Sequence, residues 1–260
     1  MGLFKKKKEQ TDAAQGSKNR FAGFVLLSDA NWDKRKLIED LQAQWNICVV
    51  ESGKQQDDTL VFQVGKMIVT VGLMPVPVPG NEAEENARSN YLWPGAVEAA
   101  HNHRAHLIIA IMGTEADILE QGILFVKLLS SCCSQKGVLG IYSSGTVFEP
   151  RFYEECAQII KKNGLPLLNW IWFGLWQRGS GICCYTYGMS AFGKDEMEVL
   201  DADAKPSDVR NFLLNMAAYV LENDVMLNDG ETIGFSAVDK HSITCSEGVA
   251  LPGMTLKIEY

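Results

Sequence analysis

Residues 117–132 read DILEQGILFVKLLSSC, and the placement of this run decides the fold. Thr114 with Asp117 makes a start like a capping box, so the sequence predicts a long helix from here to the neighbourhood of Gly137. From Ile118 and Leu119 through Phe125 and Val126 to Leu128 and Leu129, almost no polar face is left. A surface helix keeps one polar side, whereas a helix apolar nearly all round is buried. This helix is therefore expected to lie between two lobes.

Toward the N-terminus, FAGFVLL (21–27) predicts a strand. Ser28 or Asp29 is the expected cap of a helix carrying Leu37, Leu41 and Trp45 at helical spacing. TLVFQV-GK-MIVTVGL (59–73) has the form of a hairpin around Gly65-Lys66. Pro75, Pro77 and Pro79 impose an extended loop. A helix follows with Pro94 in its first turn, and then a strand over 107–112. Beyond the central helix come an expected strand at 138–142, a helix at 152–162, strands at 168–177 and 182–191, a helix after Pro206 and a strand at 232–235. Segments 21–112 and 138–235 thus share a β-α-β-β-α-β order, the ferredoxin-like unit. The fold class expected is α+β, two ferredoxin-like lobes joined by a buried helix. Its parts are a basic, disordered arm (1–20), a first lobe (21–113), the linking helix (114–137) and a second lobe (138–260) ending in a hairpin of 241–245 with 254–259.

At 260 residues, 47% apolar and 22% charged, the chain buries a real core. The arm holds six Lys or Arg against Glu9 and Asp12, a charge of +4, so the rest of the −8 chain carries −12. An acidic body repels phosphate backbones, and no nucleic-acid partner is expected. No apolar stretch follows the lysines of 5–8, Lys6 stands where a myristoylation signal needs Ser or Thr, and no run approaches the ~20 residues of a membrane span. The expected location is the cytoplasm. Seven cysteines without a Cys-x-x-Cys fit neither a disulfide framework nor a zinc ribbon and predict buried thiols. Cys183 and Cys184 would point to opposite faces of a strand.

Three of the four histidines fall in His101-Asn102-His103-Arg104-Ala105-His106. They spread over a helix end, a connector and a strand start, match no helical ligand pair, and have the permanent charge of Arg104 beside them. The residues predict a polar helix-to-strand turn capped by Asn102, with no metal and no cofactor. In LLNWIWFGLWQ (167–177), strand alternation puts Trp170, Trp172 and Trp176 on one face, expected to be core or lobe interface. Ser143-Ser144-Gly145 lacks the frames of a serine nucleophile or a phosphate loop. Asp229 and Glu231 sit in the turn sequence Asn-Asp-Gly without calcium-loop spacing.

The phrases LMPVPVP (73–79), WPGAVEAA (93–100), HRAHLIIAIMG (103–113), YGMSAFGKDEMEV (187–199) and NDGETIG (228–234) resemble, in this order, the uncharacterised bacterial family catalogued as domain of unknown function 4261. That resemblance covers essentially everything after the arm and brings no activity or catalytic residue with it. The function expected is a non-catalytic cytosolic binding protein, with an immunity or adaptor role toward a basic protein partner suiting the acidic body, or with a small ligand held between the lobes. The rival is an enzyme or ligand sensor gathering His103, Arg104 and His106 with the 75–79 loop or the Asp229–Glu231 turn. Trp93, His103, Arg104, His106, Asp229 and Glu231 are the ligand-binding candidates.

Overall fold

A computed structural model describes residues 21–50, 56–113, 115–234 and 240–260. The first sheet is built around β1 (Phe21–Leu27), which pairs on both edges. Phe21, Val25 and Leu27 face one layer, while Phe24 and Leu26 face the other, as the two-residue period requires. Flanking β1 are β4 (Ala105–Met112), with Leu107 opposite Val25, and β5 (Val138–Ser143), with Ile141 opposite Val25. The expected hairpin of β2 (Thr59–Val64) and β3 (Met67–Met74) pairs through β3 with β4. With β6 (Thr146–Phe148) on the far side of β5, the order is β2-β3-β4-β1-β5-β6 and every pair is antiparallel.

This order corrects the ferredoxin-like expectation for the first lobe. That unit needs a parallel central pair, and here β4 stands antiparallel between β3 and β1. The cause lies in where the helices go. α1 (Lys34–Trp45) and α4 (Ile118–Cys132) cover one face, whereas the short α2 (Glu82–Ala87) and α3 (Ala96–Asn102) fold over the opposite one. Helices thus lie on both sides of the sheet rather than on one. The strand expected to open the second lobe, β5, belongs to the first sheet.

α1 is capped by Asp33, whose carboxylate accepts from the Lys36 N–H at 2.9 Å, and not by Ser28 or Asp29. Gln135 bonds both the N–H and the C=O of Asp33, tying the start of α1 to the chain beyond α4. Asp117 caps α4 by accepting from the Leu119 and Glu120 N–H groups, while Thr114 and the 1–20 arm lie outside the described residues. The central helix is buried as expected, with Val126, Leu128 and Leu129 wholly enclosed. Each such side chain contributes roughly 1.5–3 kcal/mol on leaving water.

The second sheet contains β7 (Trp172–Arg178), β8 (Gly181–Tyr187), β9 (Met197–Ala202), β10 (Thr232–Ile233), β11 (His241–Glu247) and β12 (Met254–Ile258), in the order β10-β11-β12-β9-β8-β7. β11 and β12 form the C-terminal hairpin, and β12 joins β9 in parallel. α7 (Pro206–Glu222) lays Val209, Leu213 and Met216 on one face of this sheet. Between α4 and β7 the chain forms α5 (Pro150–Ala157) and α6 (Leu167–Trp170). The 168–177 run is therefore not one strand. Trp170 leaves the expected indole row, and its N–H donates to the Gly122 carbonyl of α4 at 3.0 Å. Its ring meets Phe192, which in turn meets Phe21 of β1. A main apolar cluster consequently runs through both sheets, a second lies under α2 and α3, and the chain is α+β with two sheets.

Candidate functional site

The two inner histidines are brought together by the loop of three prolines. α3 ends at Asn102, and His103 takes the cap position with extended backbone, so the side chain that closes the helix is His103 and not Asn102. Its Nδ1 bonds the Ala100 carbonyl, and its Nε2 accepts the Val78 N–H at 2.8 Å. The acceptor role fixes the Nδ1–H tautomer and occupies both ring nitrogens. His106, 2% exposed, bonds the Val76 carbonyl through Nδ1 at 2.8 Å and packs edge-on to Phe24. Burial holds its pKa below the ordinary imidazole value, and the neighbouring His103 adds to the shift. Phe24 stacks on Tyr142, whose hydroxyl donates to Glu82 at the start of α2. Burial first, and then the Glu82 carboxylate, push the Tyr142 pKa well up. Together these contacts strap residues 76–87 onto the sheet.

The other residues singled out in the sequence do not join this pair. Arg104 is exposed, and its backbone N–H bonds the Leu27 carbonyl. Asp229 and Glu231 lie in the turn before β10, where Asp229 accepts from the Cys245 N–H at 2.7 Å and Glu231 from the Asn228 N–H at 2.8 Å. Trp93 borders a recess of about 30 Å³ with Leu92, Phe148 and Phe152, enough for water but not for a metabolite. Of the seven free cysteines Cys48 is exposed, against expectation, and three more are half-buried. Burial pushes the Cys184 thiol up to about 12 and that of Cys156 to about 11, which suppresses thiolate chemistry there. Cys184 faces the main core, whereas Cys183 meets Asp201.

A larger concavity than the Trp93 recess lies where the turn between α2 and α3 approaches the outer face of the second sheet. Arg88, Ser89, Asn90 and Tyr91 form one wall, Gly174, Trp176 and Tyr185 the floor, and Val249 with Ala250 the far rim, around about 480 Å³. The floor follows from the strand period: Gly174 and Trp176 alternate on one face of β7, and Tyr185 stands opposite Gly174 on β8. A Cβ at Gly174 would overlap the Tyr185 ring, so glycine lets that ring lie across the floor. Trp176 and Tyr185 meet at 5.8 Å between centroids, and Tyr91 packs on Trp172 at 5.1 Å.

The polar groups of the wall are engaged inward. The Tyr91 hydroxyl donates to the Phe173 carbonyl at 2.8 Å, on the open edge of β7. Asn90 accepts from the Leu92 and Trp93 N–H groups and donates to the Val147 carbonyl, and the Ser89 hydroxyl donates to Asn86. The rim is held by Glu198 on β9, which is fully enclosed. Its carboxylate accepts from the Val249 and Ala250 N–H groups and from Thr255, and pairs with Lys257 at 3.2 Å. Burial opposes its ionisation, but those amides and Lys257 outweigh it and hold the pKa below the ordinary carboxylate range. Glu196 accepts from the Gly188 and Ser190 N–H groups and from Thr186, and burial raises its pKa.

Sequence reasoning missed this groove because β9, which anchors its rim, was not expected as a strand. Its signal was present in MEVLDA (197–202), where Met197 and Val199 face the core and Glu198 faces the rim. No curated protein and no solved structure matches the chain. The family model described as Domain of unknown function (DUF4261) matches residues 185–259, a span that holds YGMSAFGKDEMEV and NDGETIG but not the three earlier phrases. Residues 185–259, from the end of β8 through β12, are thus similar to the domain of unknown function DUF4261.

Proposed function

We propose that this is a non-catalytic binding protein of the cytoplasm that takes its ligand or partner in the groove of Tyr91, Trp176 and Tyr185. The observation that carries this reading is the pairing of an aromatic floor with a rim fixed by an enclosed carboxylate. Rigid aromatic area supplies contact at low entropic cost, and a held rim keeps the groove formed before binding. Several polar side chains of the kind that reactions use are engaged structurally. Both nitrogens of His103 bond backbone, Glu196 and Glu198 cap backbone amides, and the Cys184 thiol stays protonated. That favours binding over the rival of an enzyme or sensor at His103, Arg104 and His106. Seven free cysteines suit a reducing compartment, and a body of charge −12 suits a basic partner.

The test is selection of ligands from a random peptide display library and an oligosaccharide panel, using wild-type protein and the Trp176→Ala/Tyr185→Ala double variant. At least one ligand retained by wild type should be lost by the variant. If every selected ligand binds both proteins equally, the groove is not the binding site. Turnover abolished by His106→Gln would instead move the function to the histidine strap.

A further inference from the structure

We infer that Tyr91 is a latch on the open edge of β7, and that it keeps two copies of this chain from joining edge to edge. The inference does not depend on what the groove binds. It starts from the direction in which the main chain of β7 points. Gly179 and Ser180 make a two-residue hairpin turn, so Arg178 and Gly181 form a hydrogen-bonded pair. Bonded and non-bonded pairs alternate along an antiparallel ladder. Phe173, Leu175 and Gln177 therefore turn their N–H and C=O groups away from β8, onto the free side of the last strand in the sheet. The bond from the Tyr91 hydroxyl to the Phe173 carbonyl, at 2.8 Å, agrees with this phase. Among the described residues, the Leu175 and Gln177 main chains make no hydrogen bond on that side.

A row of unpaired main-chain groups is a template for another strand. Elsewhere this chain closes its edges with side chains. On β2 the Lys34 ammonium donates to the Thr59 carbonyl at 2.9 Å, and on β6 the Asn90 amide donates to the Val147 carbonyl at 2.7 Å. On β11, past the two residues of β10, Asp229 accepts the Cys245 N–H. On β7 the same task falls to Tyr91, the neighbour of Asn90, so one turn guards an edge of each sheet. The Arg210 guanidinium of α7 lies beside the Tyr91 oxygen. A guanidinium only donates, which leaves the phenol proton for Phe173.

The partner that fits this edge is β7 of a second copy. A two-fold axis at Leu175 sets that residue against its own counterpart and Phe173 against Gln177 of the second copy. In this register the Phe173 carbonyl accepts the Gln177 N–H across the interface, and the same bond recurs on the other side of the axis. That carbonyl is the one Tyr91 already holds, and the phenol reaching it stands in the lane an incoming strand needs. Nothing else on the strand opposes the pairing, since WFGLWQ (172–177) carries no charge, and Arg178 at its end is paired with Asp201.

The experiment is sedimentation velocity of wild type and variants across a hundredfold range of concentration, with amide exchange at both ends of the range. Tyr91→Ala clears both the hydroxyl and the ring. It should shift the monomer–dimer equilibrium at least tenfold toward dimer, with the Leu175 and Gln177 amides exchanging more slowly as concentration rises. Adding Gln177→Pro removes the donor that meets Phe173 across the axis, at an edge position whose N–H is not used by β8, and should return association to the wild-type level. Because the Tyr91 ring packs on Trp172 and its loss can disturb the fold, Tyr91→Phe is the second variant. It keeps the ring, removes only the oxygen, and should shift association at least threefold in the same direction; if Tyr91→Ala does not fold, this result alone decides. Association of the folded variants no stronger than that of wild type overturns the inference, and so does association that Gln177→Pro leaves intact.

Discussion

The strap over the first sheet and the rim of the second solve the same problem with opposite chemistry. Each must hold irregular backbone against a sheet face, where buried N–H and C=O groups need partners. The strap uses neutral imidazoles: His103 accepts from Val78 and His106 bonds Val76. The rim uses a charge, with Glu198 drawing the Val249 and Ala250 amides, Thr255 and Lys257 around one carboxylate. Hydrogen bonds to an ionised acceptor are the stronger kind, so the rim is the stiffer of the two regions. Stiffness falls where the groove is and not where the histidines are.

The largest expected effect is at the turn feeding the rim strand. Gly188 has φ 131°, and a Cβ there would overlap the Trp170 carbonyl oxygen. Gly188→Ala should cost more than about 4 kcal/mol or prevent folding, since backbone strain and a backbone clash add. The strap's Gly80 also has positive φ, 68°, but its Cβ would meet nothing, and Gly80→Ala should cost only about 1 kcal/mol. Urea midpoints of the two variants measure the contrast, and equal losses would break it. Next in size, Glu198→Ala leaves the Val249 and Ala250 amides without their acceptor and removes the carboxylate partner of Lys257, which keeps the Ser246 and Glu247 carbonyls. A loss of about 3–5 kcal/mol is expected, with faster amide exchange at Val249 and Ala250. Loss below about 1 kcal/mol would show that water replaces the carboxylate and that the rim is not stiff.

How much of this was legible in the sequence depends on whether local pattern or distant pairing decides an element. The burial of α4 was readable because its apolar residues circle the helix, and the β2–β3 and β11–β12 hairpins because their turns are local. Sheet order was not readable. Nothing local to AHLIIAIM (105–112) says whether it lies beside β3 and β1 together, and α2 and α3 are too short to announce the face they cover. Trp170 shares strand alternation with Trp172 and Trp176, yet Pro166 and the bond to Gly122 turn it into a helical turn. β9 was hidden because Glu196 and Glu198 look like surface charges, and only tertiary structure supplies the amides that let both be buried. The groove joins residues 88–91 to residues 174–176 and 249–250, so no sequence window contains it.

A smaller effect is expected on the strap. His103→Ala removes the acceptor of the buried Val78 N–H and should cost about 1–3 kcal/mol, the penalty of an unsatisfied buried donor. The loss should appear in thermal melts together with faster exchange of the Val78 amide. The Val249 and Ala250 amides should be unaffected, because the strap and the rim share no hydrogen-bonding group. Coupled exchange at both places would mean that the two regions act as one unit.

The smallest effect separates the regions by pH. Burial lowers the His106 pKa, so as pH falls the unfolded chain takes up that proton before the folded one does. The stability contributed by neutral His106 is therefore complete above about 6.5, the ordinary imidazole value, and is lost as pH falls through the lower folded value. Glu198 has the same sign at a lower window. Its pKa is depressed, so its contribution is complete above the ordinary value of 4.5 and lost as pH falls through the still lower folded value. Glu196, raised by burial, works against these: its ionisation disfavours the fold at high pH, and that cost is relieved as pH drops through its raised value. Amide exchange from pH 7 to 4, corrected for intrinsic rates, should first loosen the strap around Val76, which His106 holds, while Val249 and Ala250 stay protected until pH is well below 4.5. His106→Phe should abolish the upper step and leave the lower one in place. Loosening of the rim before the strap would reverse the assignment of neutral and charged anchors on which the comparison of the two regions stands.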